Sequence, residues 1–61
     1  MPYVNLKLLG KLTREQKAEI VKEFSETLER VAGKPSEHTY IVIDEVEKEN
    51  WGKGGKLFSD M

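Results

Sequence analysis

"YVNLKLLGKLTREQ", residues 3–16, changes its period halfway along, and that change decides the fold. Up to Leu9 the residues alternate. Pro2, Val4, Leu6 and Leu8 fall on one side; Tyr3, Asn5 and Lys7 fall on the other. Period two with one apolar side predicts a strand, because successive side chains point to opposite faces. Gly10 and Lys11 interrupt it. "TREQ" at 13–16 then has the form of a capping box, in which Thr13 accepts from a free first-turn amide and Gln16 reaches back to the cap.

Beyond the box, Ile20, Val21, Phe24, Leu28, Val31 and Ala32 recur at helical spacing and make one apolar stripe. Gly33 suits a left-handed C-cap, and Pro35 cannot continue a helix. The spacing predicts a helix over Arg14 to Ala32. Glu26 and Arg30 stand at the i,i+4 spacing of a surface ion pair, and the run Glu15, Glu19, Glu23, Glu26, Glu29 reads as a solvated face. "HTYIVIDEV", residues 38–46, predicts a second strand, more buried because Ile41, Val42 and Ile43 are apolar on both faces. "WGKGGKLF", residues 51–58, holds three glycines in four residues and predicts a tight turn or short hairpin.

Strand, helix and strand give an α/β (α+β) chain: a single βαβ unit over residues 1–61, one domain, with a short C-terminal hairpin. A crossover of about 19 residues is long enough for a right-handed parallel pair. One helix covers one face of such a sheet. The other face is bare and both edges are open, whereas parallel sheets are ordinarily covered on both faces and open edges invite pairing. The expectation is therefore a homo-oligomer whose sheets merge across subunits, with the hairpin reaching onto a neighbour. Size points the same way, since a domain of 61 residues buries only about 60% of its unfolded surface and needs a staple. With no cysteine, neither a disulfide nor a thiolate metal site can supply it.

His38 is the one histidine, so a multi-histidine metal site within one chain is excluded as well; it reads as a polar boundary residue at a strand start. The net charge of −1 gives no nucleic-acid footprint and no polybasic membrane patch. No apolar run approaches the roughly 20 residues of a membrane span, and there is no signal-peptide pattern, so the expected location is the cytoplasm. Ser25, Ser36 and Ser59 lack a triad pattern. "GKGGK" at 52–56 lacks both the Walker spacing and a following helix.

Pro2 carries two readings. Proline is permitted as the first residue of a strand. Alternatively, Met-Pro favours removal of Met1, and the product has a secondary amine at its end. An ordinary α-amino group titrates at about 7.7–8.0, and an apolar site lowers that further. Such an amine is a general base near neutral pH without any histidine.

From "MPYVNLKLL", "TREQK" at 13–17, the Gly33/Pro35 helix exit, "VIDEV" at 42–46 and "NWGKGG" at 50–55, in that order, the chain resembles the 4-oxalocrotonate tautomerase family almost end to end. The resemblance implies a cofactor-independent isomerase that interconverts enol and keto forms of a small unsaturated 2-hydroxy or 2-oxo acid. It implies Pro2 as the catalytic base and then acid after loss of Met1, no cofactor and no metal, and a hexamer built as a trimer of dimers. Trp51 matches an aromatic position that walls the proline amine. The family's two arginines are absent. The loop position that binds a substrate carboxylate is Leu12 without a gap and Lys11 with a one-residue shift, with Arg14 or Lys53 as possible help. The position that polarises the carbonyl from a neighbouring subunit is Tyr40. Tyrosine donates without charge, and lysine lacks arginine's fork. These departures imply a monocarboxylated enol, such as a 2-hydroxydienoate or aryl enolpyruvate, over a dicarboxylate. Two alternatives remain: a Pro2-dependent hydratase or dehalogenase of unsaturated acids, and a non-catalytic binding module on the same fold.

Overall fold

The computed structural model describes residues 1–61. Strand β1 spans Tyr3–Leu9, helix α1 Arg14–Ala32 and strand β2 Tyr40–Val46. The short strands β3 (Gly52–Lys53) and β4 (Lys56–Leu57) form the C-terminal hairpin. Single 3-10 turns occupy Ser36–His38, Lys48–Asn50 and Phe58–Asp60. β1 and β2 are parallel, with Tyr3 opposite Tyr40, Leu6 opposite Ile43 and Leu9 opposite Val46.

The capping box forms as expected. The Gln16 amide donates to Thr13 Oγ1 at 3.1 Å, and the Thr13 amide donates to Gln16 Oε1 at 2.9 Å. At the other end Gly33 turns left-handed, with φ 67°, and its amide returns to the Glu29 carbonyl at 3.1 Å. The hairpin turns on Gly54 and Gly55, both at positive φ, as the primed two-residue turn of a hairpin demands.

Two expectations are corrected. The second strand begins at Tyr40, two residues later than the pattern "HT…" suggests, because the residues after Pro35 close a 3-10 turn first. The His38 and Thr39 amides donate to the Pro35 and Ser36 carbonyls, and Thr39 Oγ1 donates back to Pro35. His38 thus sits in a turn and not at a strand start. The Glu26–Arg30 pair is not among the ion pairs of the chain. Two exposed side chains gain little by meeting.

α1 lies on the face of the sheet that carries Val4; a shallow apolar groove there is lined by Val4, Phe24, Thr27 and Leu28. The opposite face carries Tyr3, Asn5 and Lys7 beside Tyr40, Val42 and Asp44, and nothing covers it. Val42 is 42% exposed, so the doubly apolar centre of β2 is covered from one side only. No apolar side chain anywhere is buried, and Ser25 is the one buried residue. The accessible surface is 4914 Å², against about 4,000 Å² for a compact monomer of this mass. The radius of gyration is 14.7 Å, against about 10.5 Å for 61 compact residues. The chain has the layers of a domain without an enclosed core.

Candidate active site

Because β1 and β2 are parallel, their starts share one end of the sheet and their ends share the other. Pro2 precedes β1 and is half-buried. The Tyr40 amide donates to the Pro2 carbonyl at 2.9 Å, which fixes the start of β2 against the start of the chain. Alternation places the Tyr40 side chain, with that of Tyr3, on the bare face, and Pro2 with Val4 on the helix face. Met1 precedes Pro2 and is exposed. While that peptide bond exists, the Pro2 nitrogen is an amide without a basic lone pair.

Lys11 lies at the opposite end, in the loop between β1 and α1. Its ammonium stands 3.6 Å from a Glu47 carboxylate oxygen, and both side chains are well exposed. Trp51 follows β2 at that same end. Its ring packs against Phe58 at 6.3 Å between centroids, and its carbonyl accepts the Phe58 amide at 2.8 Å. The hairpin tail returns Ser59 to Gly10, Val46 and Glu47, closing a shallow concavity beside the Lys11 loop. Seven residues of β1 at about 3.3 Å each put roughly 20–25 Å between the two ends.

So one chain brings Pro2 to Tyr40, leaves Lys11 and Trp51 at the other end of the sheet, and keeps the two pairs apart. Pro2 lines none of the chain's concavities. Arg14 and Lys53 make no ion pair.

Two carboxylates shape this arrangement, and neither stands out from the motifs. On the bare face, Asp44 Oδ2 accepts from Lys7 Nζ and from Asn5 Nδ2, both at 2.9 Å. These bonds, Lys7's first, hold the Asp44 carboxyl below its usual range, and the same contact raises the Lys7 ammonium. On the helix face, Glu45 accepts from Lys17 Nζ at 2.8 Å and from the Leu12 amide at 2.7 Å. The lysine bond first, then the amide, lowers its pKa. A signal for Glu45 did exist. It follows Ile41 and Ile43 at period two, so it is an acid at a covered position and needs partners there.

Comparison with known proteins agrees with the fold. A family model described as "Tautomerase enzyme" matches residues 2–61. The chain is 36% identical over 61 residues to a protein of Bacillus subtilis (strain 168) named 2-hydroxymuconate tautomerase, covering 100% of this chain and 98% of that one. Among solved structures, YwhB, a homologue of 4-oxalocrotonate tautomerase, superposes with a TM-score of 0.89 at 35% identity, covering 98% of both chains. A heterohexameric 4-oxalocrotonate tautomerase from Chloroflexus aurantiacus shares the fold, with a TM-score of 0.84 at 24% identity over 100% of this chain and 98% of that one.

Proposed function

The chain belongs to the tautomerase family, and we propose that Pro2, freed of Met1, is the base and then the acid of its reaction. The observation that carries this reading is that the family match opens on Pro2 and leaves Met1 outside. The secondary amine takes the proton from the 2-hydroxyl of an enol, the electron pair moves through the conjugated system to carbon, and the resulting ammonium returns the proton there. The product is the 2-oxo isomer, with atoms and electrons unchanged. One group serves as base and as acid, so its pKa belongs near neutrality, and an apolar wall about the amine, with Trp51 in it, keeps it there.

The full site takes at least two copies. β1 has a free edge. A second copy laid antiparallel along that edge brings the Lys11 and Trp51 end of one chain to the Pro2 end of the other. The uncovered face with Tyr40 supplies a further contact surface for another pair, and the unenclosed core supports an oligomer, with a hexamer as the family-like form. In such a site Lys11 anchors a substrate carboxylate, and Tyr40 of a neighbouring copy donates to the carbonyl oxygen as charge develops on it. One lysine and one neutral donor suit a monocarboxylated enol, a 2-hydroxydienoate or an aryl enolpyruvate.

The test is conversion of phenylenolpyruvate to its keto form by processed protein, with Pro2→Ala in parallel. Loss of turnover in the variant supports the reading. Equal rates sink it.

A further inference from the structure

Lys11 sits in a four-residue connection, Gly10 to Thr13, whose first residue has φ 88°. A loop this short on an open edge needs a fixed point if its lysine is to face one direction. At its base the Gly10 amide donates to the Val46 carbonyl at 3.2 Å. At its far end the capping box holds Thr13. Between them the loop backbone has one tether to a side chain, the 2.7 Å bond from the Leu12 amide to Glu45 Oε2. The other Glu45 oxygen takes the Lys17 ammonium at 2.8 Å, from the first turns of α1. One carboxylate at the end of β2 therefore ties the loop, the helix and the sheet together, with 21% of its side chain exposed.

We propose that Glu45 is a positioning residue, whose carboxylate pins the loop at Leu12 and so aims Lys11 at the substrate carboxylate; this rests on the reading of Lys11 as the anchor. Glu45 does not touch the substrate in this arrangement. It acts through the residue next to the anchor. Glu47 is the natural contrast. It also faces Lys11, at 3.6 Å, but its side chain is 62% exposed and it holds no backbone group. The two acids are two residues apart and both lie near the same ammonium, yet their removal has opposite consequences. Neutralising an acid that merely sits beside Lys11 frees the ammonium and strengthens its hold on an anion. Removing an acid that aims Lys11 weakens that hold despite the same gain in positive field.

The sign of the change is thus the readout. Processed protein and the variants Glu45→Ala, Glu45→Gln, Glu47→Gln and Lys11→Ala are assayed on phenylenolpyruvate and on its methyl ester, which offers no carboxylate to Lys11. The expected result for Glu45→Ala is an acid-over-ester selectivity about fivefold lower, carried by KM, on the scale of one charge-assisted contact made imprecise. Glu45→Gln keeps an acceptor for the Leu12 amide and falls in the same direction by about half that factor. Glu47→Gln moves the other way, lowering KM for the acid. Should Glu45→Ala fail to fold, Glu45→Gln decides alone. Unchanged or raised selectivity in the Glu45 variants, beside a fall in Lys11→Ala, overturns the proposal and leaves the anchor standing. No fall in Lys11→Ala overturns the anchor and the positioning role together.

Discussion

The two ends of the sheet are built differently. At the amino-terminal end Pro2 and Tyr40 are joined by one backbone hydrogen bond, and no side-chain bond or ion pair holds either residue. At the other end the loop, the helix start and the end of β2 are tied by Glu45, Lys17 and the capping box, and the Trp51 ring packs tilted against Phe58. In the proposed site the proton moves at the lightly held end and the substrate is gripped at the braced one. Placing those tasks at opposite ends of a parallel pair leaves a single chain without a complete site.

Breaking the reactive end has the largest expected effect. Pro2→Ala lowers kcat/KM by about 10²–10⁴-fold, the usual contribution of a positioned acid–base group, and a short extension ahead of Pro2 that blocks processing does at least as much. The assignment of the two ends to different copies is tested by mixing. Pro2→Ala and Lys11→Ala proteins are unfolded together and refolded together. In an isologous pair each copy lends one half to each site, so the mixture recovers about a quarter of wild-type activity, more than either parent alone. Activity no higher than the parents' average overturns the assignment of the two halves of one site to different copies.

Smaller effects sharpen the contrast. Tyr40→Phe lowers kcat about tenfold if its hydroxyl meets the developing oxyanion, less than the loss of a stronger oxyanion donor; a KM change alone assigns it to binding. Thr13→Ala at the braced end costs about 1 kcal/mol of stability by denaturant unfolding. Gly33→Ala, at φ 67°, costs a similar amount, about 1–2 kcal/mol. The smallest effect is one of pH. The Glu45 pKa is lowered in the folded chain, so its stabilising contribution is complete above the ordinary value of 4.5 and is lost as pH falls through the lowered one. The stability gap between wild type and Glu45→Gln, followed by thermal melting from pH 7 downward, is expected to narrow only below about pH 4.5.

The local elements are legible in the sequence because their signals are local. Thr13 to Gln16 announces a helix start, Gly33 its end, and the paired glycines a hairpin. The start of β2 lies two residues beyond where the pattern puts it. "HT" continues the β-like pattern, while the turn that consumes it depends on the Pro35 and Ser36 carbonyls accepting from the His38 and Thr39 amides. Glu45 is inconspicuous for a different reason. Its partners lie 28 and 33 residues away, and only the parallel register brings them together. The separation of Pro2 from Lys11 is also hidden, since "MPYVNLKLLGK" shows them as neighbours in sequence and only an extended strand makes that closeness a distance.

That distance has a consequence for how such a gene can change. In the proposed site a substitution in the Lys11 loop alters the surroundings of a Pro2 in another copy, so each mutation would be felt in every site at once. After duplication the constraint lifts. One copy can keep the proline and lose the anchor, while the other keeps the anchor and loses the proline, and the pair still completes a site that neither can form alone. A parallel strand pair with its two tasks at opposite ends is thus already divided along the line where two paralogues could share the work.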